Sequence, residues 1–129
     1  MITVVLADDS AGMLENLREE VGRDFKILGT ARNGEAALCE ITRLDPDIAV
    51  LDITMPMMSG LEVAARLHEM NSRTKIVFAT IHEAPEYVAA ALSAGALGYV
   101  TKRRLSSDLV RAIREVSEGR TYLSPSLRR

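Results

Sequence analysis

Apolar residues in this chain form short continuous runs that alternate with stretches of helical spacing. Five runs rich in apolar and β-branched residues occupy positions 3–7, 25–30, 48–51, 75–80 and 98–101. Runs of this length are typical of strands that are buried on both faces. Between them, apolar residues recur every three or four positions, as in Met13, Leu14, Leu17 and Val21, which predicts helices with one buried face. The alternation predicts βα units around a parallel sheet.

Residues that favour helix ends lie between these runs. Ser10 is expected to cap the first helix, Asn33 to begin the second and Asp45 to end it, while Ser106 or Ser107 is expected to cap the last helix. The right-handed crossover rule then predicts a doubly wound sheet with helices on both faces. Ligands of such sheets bind beyond the carboxyl ends of the strands, so functional residues are expected there.

Composition limits the class of protein further. A chain of 129 residues with 47% apolar and 26% charged residues predicts one domain, and no apolar run approaches the ~20 residues of a membrane span. The first residues lack a basic leader, so a cytoplasmic protein without membrane attachment is expected. A net charge of -2 and 4% aromatic residues indicate that this domain does not itself bind nucleic acid. Cys39 is expected to be a buried small hydrophobe without a redox role.

Polar residues follow the apolar runs at their carboxyl ends. Asp8 and Asp9 follow the first run, Asp52 follows the third, Thr80 ends the fourth, and Lys102 follows the fifth. Each residue alone is compatible with a cap, a turn or a strand end. Together they place three carboxylates, a hydroxyl and an ammonium on one edge of the sheet. Carboxylates packed together repel unless a cation lies among them, and Mg²⁺ suits such oxygen ligands together with a phosphate.

The chain as a whole resembles the receiver domain of bacterial response regulators. The matching segments are Asp8 and Asp9, Asp52 within residues 52–56, Gly60, Thr80, and residues 94–102. Residues 94–102, His82 and the tail after residue 119 are similar to the NarL/LuxR-type (FixJ-like) branch. The resemblance implies an α/β fold of the flavodoxin-like class, a doubly wound (βα)5 sandwich whose five-stranded parallel sheet has the strand order 2-1-3-4-5.

The resemblance also implies a metal-dependent phosphoacceptor site. Asp52 would be the phosphoacceptor, and Asp52 and Asp9 would bind Mg²⁺ directly, with Mn²⁺ as the alternative ion. Asp8 would act through a bound water molecule. The backbone carbonyl of Thr54 would complete the protein ligands of the metal.

Four further residues have roles that the resemblance implies. Lys102 would pair with the phosphoryl oxygens, and Thr80 would hydrogen bond to them after transfer. Tyr99 would turn inward as Thr80 moves, so Thr80 and Tyr99 would form the switch. Thr54 and His82 would flank the path of water to the phosphoryl group and so tune its lifetime.

The predicted function is that of a signalling phosphoacceptor, which receives its phosphoryl group from a sensor histidine kinase and catalyses only its own phosphotransfer and dephosphorylation. A Mg²⁺-dependent phosphatase is an alternative, although Thr54 stands where such an enzyme needs a general acid. A phosphorylation-independent interaction module is a second alternative. An FMN-binding module is disfavoured because the loop at residues 8–12 is acidic.

The domain organisation follows from the last residues. Residues 1–119 are expected to form the receiver domain and residues 120–129 the start of a linker to a carboxyl-terminal helix-turn-helix domain that binds DNA and controls transcription. The tail has too few apolar residues to predict a further core element. Phosphorylation would then favour a homodimer. The alternative is a single-domain receiver with a frayed tail.

Overall fold

The order of strands and helices follows the predicted alternation. A computed structural model of the chain describes residues 1–128. The elements are β1 (Thr3–Ala7), α1 (Ala11–Gly22), β2 (Lys26–Ala31), α2 (Gly34–Leu44), β3 (Ile48–Leu51), α3 (Gly60–Glu69), β4 (Lys75–Thr80), α4 (Pro85–Ser93), β5 (Gly98–Thr101), α5 (Leu105–Ser117) and β6 (Tyr122–Leu123). Short 3-10 turns lie at Lys102–Arg104 and Pro125–Leu127. Strand β2 begins and ends one residue later than predicted.

The helix ends of α1 and α2 confirm the predicted capping residues. The Ser10 hydroxyl accepts a hydrogen bond from the Met13 amide at 3.2 Å, and the Asn33 side chain accepts one from the Ala36 amide at 2.8 Å. Both contacts satisfy amides that have no partner within the first helical turn. Asp45 ends α2 in the left-handed conformation, with φ of 48°.

Two sequence predictions about side chains on helices are wrong. Neither Ser106 nor Ser107 caps α5, because the 3-10 turn leads directly into a helix that begins at Leu105. Both serines therefore lie inside the first helical turn. Cys39 is exposed because it lies on the outward face of α2.

The sheet is parallel throughout, with the strand order β2-β1-β3-β4-β5-β6. The predicted doubly wound order is confirmed, but the predicted number of five strands is short by one. The amides of Tyr122 and Ser124 donate to the carbonyls of Leu97 and Tyr99, each at 2.9 Å. Tyr122 packs into the core, so the expectation that the tail adds no core element is wrong. A strand of two residues is too short to show a periodic pattern.

Two apolar layers cover the two faces of the sheet. Val4 and Leu6 point into the layer beneath α1 and α5, whereas Val5 and Ala7 point into the layer beneath α2, α3 and α4. Side chains of a strand alternate between faces, so both faces of the central strands are buried and polar groups are confined to the strand ends. Within residues 1–128, no helix has the length and apolar content that crossing a membrane requires.

Candidate functional site

The carboxyl ends of β1 and β3 bring three carboxylates together. Asp8 and Asp9 follow β1 and Asp52 follows β3, and one oxygen from each lies within 4.8 Å of those of the other two. The two strands are neighbours, with Ala7 in register with Leu51 and the Asp52 amide donating to the Ala7 carbonyl at 3.1 Å. Asp8 and Asp52 are buried, and Asp9 is exposed. Strand pairing thus joins residues that are 43 or more positions apart.

The Asp52 carboxylate is held by a donor on each oxygen. Its Oδ1 accepts a hydrogen bond from the Ile53 amide at 2.7 Å, and its Oδ2 accepts one from Lys102 Nζ at 2.8 Å. The backbone behind it is packed against the start of α3, where a Cβ at Gly60 would lie 2.0 Å from the Asp52 carbonyl oxygen. Glycine is required at that position because any side chain would displace the backbone that carries Asp52.

The two oxygens of the Asp8 carboxylate have different partners. Its Oδ1 accepts a hydrogen bond from the Ser10 amide at 2.9 Å. Its Oδ2 is buried and forms an ion pair with Lys102 Nζ at 2.8 Å, but it accepts no well-directed hydrogen bond from residues 1–128. Buried carboxylate oxygens normally have such a partner. Beside this ion pair, Oδ2 of Asp8 can take a water molecule or a hard cation as a further partner.

Lys102 supplies the positive charge of the cluster. Burial works to lower the pKa of Lys102, but the hydrogen bond to Asp52 and the negative charges of Asp52 and Asp8 outweigh burial and raise the pKa above its usual value. The ammonium is therefore charged at neutral pH. One ammonium faces three carboxylates, so an excess of negative charge remains that a divalent cation would balance.

Thr80 and Tyr99 both contact His82 in the β4–α4 loop. The Thr80 hydroxyl accepts a hydrogen bond from the His82 amide at 3.4 Å, and the Tyr99 hydroxyl donates one to the His82 carbonyl at 2.7 Å. Thr80 and Tyr99 are fully buried. Burial, together with the negative charge of Asp52, raises the pKa of Tyr99, so its hydroxyl keeps its proton. The start of this loop is thus bonded to both predicted switch residues.

The two side chains predicted to flank the water path contact each other. Thr54 Oγ1 and His82 Nε2 are 2.9 Å apart, although the residues are separated by 28 positions. The His82 ring stacks on Tyr87 of α4, with centroids 4.0 Å apart and planes inclined by 11°. This contact connects the β4–α4 loop to the β3–α3 loop, two residues after Asp52.

Sequence reasoning missed a buried polar link between the tail and the site. The Ser124 hydroxyl donates to Asp108 Oδ2 at 2.8 Å and accepts a hydrogen bond at 3.1 Å from the amide of Thr101, the residue before Lys102. Burial works to raise the pKa of Asp108, but hydrogen bonds from Arg104 and Ser124 outweigh burial and lower it. The available signal was an acidic residue on the buried face of α5.

A second missed contact joins the loops after β4 and β5. The Arg103 guanidinium donates to both Glu83 oxygens, at 2.7 and 2.9 Å, and to the Ser126 hydroxyl at 3.3 Å. These hydrogen bonds lower the pKa of the Glu83 carboxyl. No local pattern predicts this contact, because the partners are 20 and 23 positions apart.

Comparison with known proteins identifies the family of this arrangement. The family model of the response regulator receiver domain matches residues 4–114. The chain is 37% identical over 129 residues to the transcriptional regulatory protein YvfU of Bacillus subtilis, and this alignment covers 98% of this chain and 64% of that protein. It is 33% identical over 127 residues to the nitrate/nitrite response regulator protein NarL of Escherichia coli, and this alignment covers 97% of this chain and 59% of that protein. The chain therefore spans less than two thirds of the length of these relatives.

A solved structure agrees with the sequence matches. The crystal structure of a two-component response regulator of the LuxR family from Aurantimonas sp. SI85-9A1 superposes with a TM-score of 0.93 at 29% identity, covering 98% of this chain and 92% of that chain. Receiver domains bind Mg²⁺ in general, act with histidine kinases, and are signalling proteins rather than metabolic enzymes. The chain belongs to the family of response regulator receiver domains, and the proteins it matches include regulators of the NarL/LuxR type.

Proposed function

We propose that this chain is a phosphorylation-switched receiver whose phosphoacceptor is Asp52. The observation that carries the proposal is the meeting of three carboxylates with Lys102 at one edge of the sheet. Such an excess of negative charge is unfavourable unless it binds a cation, and an ammonium beside it suits a phosphoryl group. Both oxygens of Asp52 are oriented by hydrogen-bond donors, which supports its role as the acceptor.

The proposed cofactor is Mg²⁺, with Mn²⁺ as the alternative ion. Asp9 and Asp52 would bind the ion directly, Asp8 would bind it through water, and the backbone carbonyl of Thr54 would complete the protein ligands. The buried Oδ2 of Asp8, which accepts no well-directed hydrogen bond from residues 1–128, supports this assignment. The bound ion would neutralise charge on the phosphoryl oxygens during transfer.

Transfer would start from a phosphohistidine of a sensor histidine kinase. A carboxylate oxygen of Asp52 attacks the phosphorus, an O–P bond forms, the P–N bond breaks, and the imidazole leaves and takes up a proton. Lys102 remains charged and donates hydrogen bonds to the phosphoryl oxygens. The acyl phosphate returns to a carboxylate when water attacks the phosphorus and inorganic phosphate leaves, so the domain would catalyse its own dephosphorylation as well.

The proposed switch connects the phosphoryl group to the β4–α4 loop. Thr80 would donate its hydroxyl proton to a phosphoryl oxygen and give up its long contact with the His82 amide. The Tyr99 hydroxyl donates a hydrogen bond to the His82 carbonyl, so movement of the loop would change the conformation of the Tyr99 side chain. Amide exchange at residues 80–95 and 99–105 is expected to change on phosphorylation, and identical exchange in both states would exclude this switch.

Thr54 and His82 would set the lifetime of the phosphorylated state. Their 2.9 Å contact involves the side chain two residues after Asp52, where it would restrict the approach of water to phosphorus. Separate replacement of each residue by alanine should change the rate at which the phosphoryl group is lost. An unchanged decay rate in both variants would exclude this role.

The proposed output is transcriptional control. Residues 1–119 would act as the receiver and residues 120–129 as the start of a linker to a helix-turn-helix domain that binds DNA, in a cytoplasmic protein that forms a homodimer on phosphorylation. The similarity to the transcriptional regulatory protein YvfU and to the response regulator NarL supports this proposal. Arg129, the last residue of the predicted linker, lies outside the described residues.

The proposal is tested by the intact mass of the protein after incubation with acetyl phosphate and Mg²⁺. The wild type should gain one phosphoryl group and Asp52→Asn none, because an amide does not form the acyl phosphate. Asp47→Asn is the matched control, since it removes a carboxylate at the other end of β3 and should be labelled normally. Labelling of Asp52→Asn at the wild-type level would refute the assignment.

A further inference from the structure

Arg32, in the loop between β2 and α2, contacts the backbone of a residue in the carboxylate cluster. Its Nη2 and Nε both donate to the Asp9 carbonyl oxygen, at 2.9 and 3.2 Å. The two residues are 23 positions apart and lie in neighbouring loops, because β2 pairs with β1. The proposed phosphotransfer assigns no role to Arg32.

The backbone beside Arg32 is fixed by close packing on the loop after β3. The Gly34 amide donates to the Pro56 carbonyl at 3.2 Å, and a Cβ at Gly34 would lie 1.9 Å from the Met58 carbonyl oxygen. Asn33, which lies between Arg32 and Gly34, caps the amino-terminal end of α2. Residues 32–34 therefore bridge the loop that carries Asp9 and the loop that follows Asp52.

The Asp9 carboxylate depends on this support more than the other two carboxylates do. Asp8 and Asp52 are buried and have donors on their own oxygens. Asp9 is exposed, and within residues 1–128 no hydrogen bond or ion pair holds its carboxylate. Its position is therefore set by its backbone, whose carbonyl is held by the Arg32 guanidinium.

We infer that Arg32 is a positioning residue that presents the Asp9 carboxylate to the divalent cation; this inference rests on the proposed function. If Arg32 affected Mg²⁺ binding only through its charge, removing it should strengthen binding, because the guanidinium repels a cation. Positioning predicts weaker binding, because outer contacts that orient metal ligands commonly contribute about tenfold or more in affinity. The direction of the change thus separates the two effects.

The first experiment is calorimetric titration of Mg²⁺ into the wild type, Arg32→Met, Arg32→Lys and Arg18→Met. Arg18→Met is the control, because Arg18 is also exposed and its guanidinium donates to the Thr30 side chain at 3.4 Å. Arg32→Met should weaken binding about tenfold and Arg32→Lys about threefold, since lysine keeps the charge but not the paired donors. The control should stay within about twofold of the wild type. Equal or tighter Mg²⁺ binding by Arg32→Met would overturn the inference.

The second experiment needs no metal. The Asp9 carbonyl ¹³C resonance and the exchange rate of the neighbouring Ser10 amide, which donates to Asp8 Oδ1, should change in Arg32→Met and stay unchanged in Arg18→Met. A wild type that binds no Mg²⁺ would defeat the proposed metal site, and the metal-free signals would still decide whether Arg32 positions Asp9. Unchanged metal-free signals in Arg32→Met would overturn the inference even if the wild type binds Mg²⁺.

Discussion

The substitution Lys102→Met tests how strongly the ammonium stabilises the carboxylate cluster. Lys102 Nζ lies 2.8 Å from one oxygen of Asp8 and 2.8 Å from one of Asp52. The lysine side chain is 13% exposed, and those two carboxylates are 1% and 8% exposed. Methionine keeps the unbranched apolar stem but leaves both carboxylates without their cation. We expect the free energy of unfolding to fall.

The size of the loss follows from burial. Removing one partner of a buried ion pair costs about 3 to 5 kcal/mol, and partial exposure of the ammonium favours the lower end, about 3 kcal/mol. The melting temperature should fall by roughly 10 °C. Because the pKa of Lys102 is raised above 10.5, its stabilisation is fully present at pH 7 and is lost only as the pH rises through the raised value.

Urea denaturation followed by circular dichroism at pH 7, without added Mg²⁺, measures this loss. Lys75→Met is the control, because Lys75 Nζ donates to the Ser117 carbonyl oxygen at 3.2 Å instead of a carboxylate, and its replacement should cost less than about 1 kcal/mol. Adding Asp8→Asn to Lys102→Met should restore about 1 to 2 kcal/mol, since it removes one unpaired charge. Equal stability of the two lysine variants would show that the ammonium does not stabilise the carboxylate cluster.

Three further predictions concern stability. The hydrogen bond from Arg73 is the main reason that the pKa of Asp47 is lowered from its ordinary value of 3.8 to about 2. Arg73→Ala should therefore lower the free energy of unfolding slightly at pH 7, because the pair is exposed to solvent. Urea titrations should show this difference shrinking as the pH falls from about 4 to 2. Ser124→Ala removes a buried hydroxyl that bonds both α5 and β5, so it should cost about 2 kcal/mol in the same assay; a loss within error would contradict the proposed link to the tail. A Cβ at Gly34 would lie 1.9 Å from a backbone oxygen, so Gly34→Ala should lower the unfolding free energy by about 3 kcal/mol. A Cβ at Gly12 in α1 would make only an ordinary contact of 3.9 Å with the Ser10 hydroxyl, so Gly12→Ala should raise the unfolding free energy by about 0.5 to 1 kcal/mol. Similar effects of the two substitutions would contradict the packing argument.

The amino-acid pattern predicts the first five strands, the helix ends at Ser10, Asn33 and Asp45, and the meeting of the acidic residues at one edge of the sheet. Strands buried on both faces appear as continuous apolar runs, and the carboxyl ends of parallel strands share one edge. Asp8, Asp9 and Asp52 therefore had to be neighbours once the runs before them were read as adjacent strands. Ser10 and Asn33 were predictable as caps for a similar reason, since capping is a contact between residues three positions apart.

The contacts between loops and the position of the tail have no local signal in the sequence and depend on the packing of the whole domain. The hydrogen bonds from Arg32 to Asp9 and from Arg103 to Glu83 join residues about 20 positions apart. A long arginine side chain can reach many acceptors, and no periodic pattern in the sequence indicates which acceptor it reaches. The Ser124 hydroxyl is buried because β6 pairs with the edge of β5 and places Ser124 within hydrogen-bond distance of Asp108. These contacts depend on the distances between packed elements, which exist only after the sheet and its helices have assembled.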